Sequence, residues 1–280
     1  MGDRHRDLQI LLTNDDGIDA PGLDALHEAL ARVGDVTVVA PAVDHSGIGR
    51  VLSYGRPVPL RTGAVTDEMG IDSETFTYDL DYEERESGYA VEGTPCDCVV
   101  VGVNALDERP DVVVSGCNPG ANVGVSALDR SGTVSAAMEA AFLGVPGVAV
   151  SAHGADEADP ATFDAPARFA ADLLDHVVEA AVFDRADYLN VLVPAADPDG
   201  VRVTRPADDY EMGSTREDGR FRVHHRTMAR SHGDPADPGP ADTDRHAIHG
   251  GHASVTPLAL PRTPCEVPEL DAFAEQYGRQ

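Results

Sequence analysis

The sequence contains no lysine. All 21 of its basic residues are arginine, set against 49 acidic ones, for a formal net charge of −28. That balance excludes general attraction to nucleic acid or to an anionic membrane, both of which are bound through positive charge. No apolar run approaches the about 18 residues that a membrane-spanning helix needs. The opening MGDRHRDLQILL lacks the small-residue cleavage site of a signal peptide, so a cytoplasmic location is expected. Cysteine is scarce as well. Cys96, Cys98, Cys117 and Cys265 have neither disulfide nor zinc spacing and read as reduced thiols.

The acids run along the whole chain among regular apolar patterns, which argues against a disordered acidic tail. At about 1 M salt the Debye length shrinks to roughly 3 Å and removes most self-repulsion. The composition is therefore that of a halophilic protein, built for a high-salt cytoplasm. Any phosphate-bearing ligand would have to be drawn in by a local cation.

What is present is a globular pattern. With 280 residues and 42% apolar content, the chain can bury one large core without disulfides or metal. Asp7–Thr13 reads as a strand, and Pro21 opens a helix with Leu23, Leu26, Leu30 and Val33 on one face, closed by Gly34. Val36–Ala40 is a second strand, giving a right-handed βαβ unit. The alternation resumes with a helix over Thr94–Leu106, a strand at Asp111–Ser115 and a helix over Ser131–Leu143. It continues with a strand at Gly147–Ser151, a long helix over Ala161–Val182 and a strand at Tyr188–Val193. The expected fold class is α/β, a Rossmann-like doubly wound, mostly parallel sheet with β-hairpin excursions and a C-terminal extension. One domain spans 1–280, with its core at about 7–195 and a β-rich excursion and C-terminal segment at about 196–280. Val51–Gly93 and Val201–Arg230 read as β excursions, and His232–Asp244 as a mobile Pro/Gly/Asp loop.

Ligands of an open parallel sheet bind beyond the carboxyl ends of its strands. Three polar, glycine-bearing loops leave such ends: Thr13–Gly17, Pro41–Arg50 and Gly116–Gly124. Adjacent carboxylates such as Asp15 and Asp16 repel, and a cation between them relieves this. The competing reading is an Asx-turn pair capping the helix at Pro21. Oxygen-only ligands point to Mg²⁺ or Mn²⁺. Ser131-Gly132-Thr133 at a helix start offers hydroxyls and backbone N–H groups to a phosphate, although an ordinary N-cap reads the same way. The Gly47–Gly49 pair lacks the rest of a dinucleotide fingerprint. His224, His225, His232, His246, His249 and His252 cluster late in the chain. His249 and His252 could share a helix face, but without a third ligand they read as solvated surface residues.

The runs ILLTNDDGIDAPGL, VVAPAVDHSGIGRVLS, EGTPCDCV, PDVVVSGCNPGANVG, SGTVSAAMEA and HGGHASVTPL, in this order from Ile10 to about Leu258, closely resemble the SurE survival-protein family. The resemblance implies a homodimer or homotetramer and divalent-metal-dependent hydrolysis of nucleoside 5′- and 3′-monophosphates. Carried over by motif, the metal ligands are Asp15 and Asp16, Ser46 and Asn118. Cys117, Pro119 and His252 depart from the family pattern, and none of these changes removes a ligand.

The implied chemistry is in-line attack of water on a phosphomonoester. Asp15 and Asp16 act as catalytic ligands, and Asn14, Ser131, Gly132 and Thr133 position the phosphate. Covalent aspartyl phosphorylation fails on spacing, because Gly17 and Ile18 stand where a second Asp is needed. The same residues also suit a non-catalytic metal- or nucleotide-binding regulator, or a phosphatase of non-nucleotide or polyphosphate substrates, and the sequence leaves both roles open.

Overall fold

The computed structural model describes residues 8–55, 61–62, 76–120, 122–225 and 238–260. Strand β1 (Gln9–Thr13) alternates its side chains between two cores, Ile10 and Leu12 entering one and Leu11 the other. Pro21, whose fixed φ suits a first helical position, starts α1 (Pro21–Leu30), which buries Leu23, Leu26 and Leu30. The chain continues through β2 (Asp35–Pro41), the short pair β3 (Arg61–Thr62) and β4 (Phe76–Thr77), β5 (Tyr82–Arg85) and β6 (Gly88–Val91). Then come α2 (Pro95–Asn104), β7 (Val112–Pro119), α3 (Val125–Leu128), α4 (Gly132–Phe142), β8 (Gly147–His153) and α5 (Asp164–Glu179). The last described elements are β9 (Tyr188–Pro194), β10 (Val201–Val203), β11 (Met212–Glu217), β12 (Arg220–His225), α6 (Asp244–His249) and β13 (Ala253–Leu258).

Nine strands form one sheet in the order β10-β13-β9-β8-β7-β1-β2-β6-β5. The six from β9 to β6 are parallel; β13 runs antiparallel to β9, and β5 antiparallel to β6. Helices α1 and α5 share one core with Ile10, Leu12 and Val150, while α2 and α4 share the other with Leu11, Val39 and Val113. The connections β1-α1-β2 and β6-α2-β7 cross the sheet in opposite directions, so crossovers of one hand place their helices on opposite faces. The unit β7-α4-β8 keeps that hand. The unit β8-α5-β9 travels the same way as β7-α4-β8 yet delivers α5 to the face of α1, so its hand is reversed. Phe163, fully buried just ahead of α5, seats this connection against Gly22, where an added Cβ would meet the Phe163 ring at 2.9 Å.

The chain leaves β1 toward β2 and returns from β6 to β7 on the other side of β1. The loops after β1 and β7 therefore diverge at the switch point, where ligands bind in such sheets.

Several boundaries differ from the sequence expectation. β7 continues to Pro119 where a loop was expected from Gly116, because β8 pairs with Asn118 and Pro119. Val201–Val203 adds to the sheet edge beside β13 and takes no part in a hairpin, and residues 82–91 extend the opposite edge. α2 ends at Asn104, and α5 is the central part of the helix expected over Ala161–Val182, flanked by 3₁₀ turns. Asp244 opens α6 where loop was expected; residues 232–237 of that stretch, like 226–230 of the excursion before it, lie outside the described ones.

Candidate metal and phosphate site

The turn after β1 is closed by Asn14, whose Nδ2 donates to the Gly17 carbonyl at 2.9 Å while its Oδ1 accepts from Gly17 N at 3.2 Å. Gly17 has φ +100°, in the region that favours glycine, so the chain can reverse within three residues. The turn holds Asp15 almost fully buried, with Asp16 partly buried beside it.

Two further segments meet this turn. The loop after β2 is tied on by His45 N donating to the Asp15 carbonyl at 2.7 Å, which brings Ser46 Oγ to 3.0 Å from Asp16 Oδ1. From β7 comes Asn118, whose Nδ2 lies 2.6 Å from both Asp15 Oδ1 and Asp16 Oδ2. A bulge aims it there. Ser115 pairs with Ala149 and Asn118 with Ser151, so β7 spends one residue more than β8 over that stretch. Gly116, at φ +130°, approaches the Val150 carbonyl too closely for any side chain.

The start of α4 completes the cluster. Ser131 Oγ accepts from Val134 N at 3.1 Å as the N-cap, and Thr133 Oγ1 donates to Asp15 Oδ1 at 2.8 Å. Asp15, Asp16, Ser46, Asn118, Gly132 and Thr133 are thus brought together. Ser131 caps the helix, and Asn14 has its amide turned back into the β1 turn.

Burial raises the carboxyl of Asp15, with the Thr133 hydroxyl opposing it. Asp16 is pushed up to about 7, first by burial and then by the charge of Asp15. Among the described residues neither carboxylate forms an ion pair. Asn118 Oδ1 is buried and has no hydrogen-bond partner, while its Nδ2 serves both carboxylates. Turning this amide over would point Oδ1 at two carboxylates, an arrangement that only a cation between them makes favourable. Two carboxylates, an amide oxygen and a hydroxyl form an all-oxygen set that fits a hard divalent ion.

The sequence reading missed Asp44, whose Oδ1 takes the Ser46 N–H and hydroxyl at 2.6 Å each. Its signal was present as the Asp-x-Ser spacing of an Asx turn. Of the late histidines, His224 is exposed as expected, His232 lies outside the described residues, and the others are less solvated than expected. His246, His249 and His252 are half-buried, with His246 Nδ1 3.1 Å from the Gly239 carbonyl and His252 Nδ1 2.8 Å from that of Gly250. α6 stops at His249, so His252 shares no helix face with it. Among the described residues no three His, Cys, Asp or Glu side chains converge as a metal site.

A family model described as Survival protein SurE matches residues 10–212. The chain belongs to the SurE family. Among its SurE relatives is a protein of Natronomonas pharaonis named 5′-nucleotidase SurE, 43% identical, with 96% of this chain and 100% of the relative aligned. A protein of Haloarcula marismortui with the same name is also 43% identical, over 96% of this chain and 94% of its own length. Both organisms are halophilic archaea, in agreement with the reading of the SurE chain's acidic, lysine-free composition. The crystal structure of a SurE protein from Aquifex aeolicus superposes with TM-score 0.73 at 31% identity, covering 95% of this chain and 99% of that one. The match extends over both the parallel core and the C-terminal strands.

Proposed function

We propose that this SurE chain is a metal-dependent phosphomonoesterase that hydrolyses nucleoside 5′-monophosphates, and 3′-monophosphates, to nucleoside and phosphate. The observation that carries the reading is the convergence of Asp15, Asp16, Ser46 and Asn118 at the switch point, with a buried amide oxygen left over. The relatives named 5′-nucleotidase supply the substrate class.

One divalent ion, Mg²⁺ or Mn²⁺, would be held by these four residues and, when bound, would neutralise phosphate oxygens and lower the pKa of water. Asp15 and Asp16 bind as the anionic donors and orient the attacking water by accepting its hydrogen bonds. Ser46 and Asn118 add neutral oxygens. Gly132 lets Asp15 pack against the start of α4, which would offer its backbone N–H groups and positive helix end to the phosphate. Ser131 and Thr133 fix that helix end, one as cap and one through Asp15, and Asn14 holds the β1 turn. The water oxygen forms a bond to phosphorus as the ester P–O bond opposite it breaks; the water gives up a proton to solvent and the departing nucleoside oxygen takes one up, releasing nucleoside and phosphate. No helix of the described residues is long and apolar enough to cross a membrane. A cytoplasmic homodimer or homotetramer, folded as one unit over 1–280, completes the proposal.

The test is a panel of 5′- and 3′-nucleotides, p-nitrophenyl phosphate and polyphosphate, assayed with Mg²⁺ and with Mn²⁺ in molar KCl. Metal-supported phosphate release favouring nucleotides is expected. Turnover of polyphosphate alone would reassign the substrate.

A further inference from the structure

Ser46 has one hydroxyl proton and two carboxylate neighbours. Its Oγ lies 2.6 Å from Asp44 Oδ1 and 3.0 Å from Asp16 Oδ1. A hydroxyl can give its proton to only one of them. The 2.6 Å separation is that of a strong O–H···O⁻ bond, and 3.0 Å is at the long limit. Asp44 therefore takes the proton. The same Asp44 oxygen also accepts the Ser46 backbone N–H at 2.6 Å, so the residue is held at two points and its hydroxyl cannot rotate freely. With its proton directed at Asp44, the Ser46 oxygen presents only lone pairs to Asp16. Once Asp16 is ionised, two lone-pair-bearing oxygens face each other at 3.0 Å and repel, and a cation bound by both turns the contact favourable.

We infer that Asp44 is the positioning residue for the metal ligand Ser46: it orients the hydroxyl so that its lone pairs face the ion shared with Asp16. The inference rests on the reading of Asp15, Asp16, Ser46 and Asn118 as the metal ligands. Asp44 itself is largely exposed and touches neither Asp15 nor Asp16 in the hydrogen-bond network, so its part is to aim Ser46. Outer-shell partners of this kind typically contribute about 10- to 100-fold in metal affinity.

A carboxylate next to a cation site also attracts the ion simply by its charge. The two roles separate with Asp44→Asn and Asp44→Ala, because the amide oxygen of Asn still accepts both Ser46 bonds whereas Ala accepts neither. Molar KCl, with a Debye length of about 3 Å, suppresses the long-range charge contribution.

The experiment is Mn²⁺ binding by calorimetry in 2 M KCl for the unmodified protein, Asp44→Asn, Asp44→Ala, Ser46→Ala and Asp44→Ala/Ser46→Ala. The rise in thermal midpoint on adding Mn²⁺ is a second readout, and the metal-free midpoint reports folding. Asp44→Ala should weaken Mn²⁺ about tenfold or more, and Asp44→Asn should restore affinity to within a few-fold. The double variant should bind as Ser46→Ala does, since a residue acting through Ser46 has nothing to aim once the hydroxyl is gone. Equal losses in Asn and Ala, additive losses in the double variant, or no loss in Ala would each overturn the inference. If Asp44→Ala is too unstable to titrate, the comparison of Asp44→Asn with the unmodified protein decides, and a tenfold loss there refutes the role. Absence of Mn²⁺ binding by the unmodified protein would overturn the metal-site reading itself and the inference with it.

Discussion

Oδ2 of Asp15 lies 2.5 Å from where a Cβ would stand at position 132, and Asp15 Cβ lies 2.7 Å from it. The helix start and the first carboxylate approach so closely that only glycine leaves room. Gly132→Ala must therefore push α4 or the β1 turn out of place, even though alanine is the better helix former. We expect a loss of about 1–3 kcal/mol in stability from overpacking. A much larger loss of activity should accompany it, because the displaced atoms belong to Asp15. Denaturant unfolding and steady-state rates, measured on the same sample, test this. A variant that unfolds like the parent and keeps its rate would show that the close approach is immaterial.

A second prediction concerns pH. In the metal-free protein Asp16 binds its proton up to about 7, above its ordinary value of 3.8, owing first to burial and then to Asp15. The folded state therefore holds this proton more tightly than the unfolded chain does. The stability contributed by this group is fully present below 3.8 and is lost as pH rises through about 7. Metal has to displace the proton, so Mn²⁺ affinity should fall as pH drops below about 7. Calorimetry in buffers of different ionisation enthalpy should show proton release at pH 6, shrinking by pH 8. Asp16→Asn should abolish that component.

The turn after β1 was legible because Asn14, Asp15, Asp16 and Gly17 are contiguous and polar beside an apolar strand. Asn118 was legible as a loop residue and wrong as such. Gly116 resembles a strand end, yet pairing with β8 carries β7 past it, and nothing local in the sequence encodes the register of a distant strand. The same holds for Val201–Val203, whose alternation suits a hairpin and whose partner, β13, lies some fifty residues on. Thr133 was read for phosphate because a hydroxyl at a helix start commonly serves that end. Its bond to Asp15 spans 118 positions and was out of reach of any local pattern. Loop chemistry and periodicity can be read along the chain, whereas pairings between distant segments are decided by packing.

A third prediction follows from composition alone. With a net charge of −28 and no lysine, self-repulsion is strong at low ionic strength. At about 0.01 M salt the Debye length is near 30 Å, and at about 1 M it is near 3 Å. Thermal stability should rise steeply between these limits. Sucrose strengthens apolar burial without screening charge, so a matched sucrose series should raise the midpoint far less. A midpoint flat in KCl would contradict the high-salt reading and leave the site untouched.

The most direct measurement is phosphate release from AMP by the purified protein in molar KCl. It should be made after exhaustive chelation, after Mn²⁺ is restored, and with Asp15→Asn/Asp16→Asn in parallel. No release is expected after chelation, with recovery on adding Mn²⁺ and no recovery in the double variant, whose neutral amides keep the shape of the site but remove its charge. Full activity in the chelated protein, or in the double variant, would contradict the proposed mechanism.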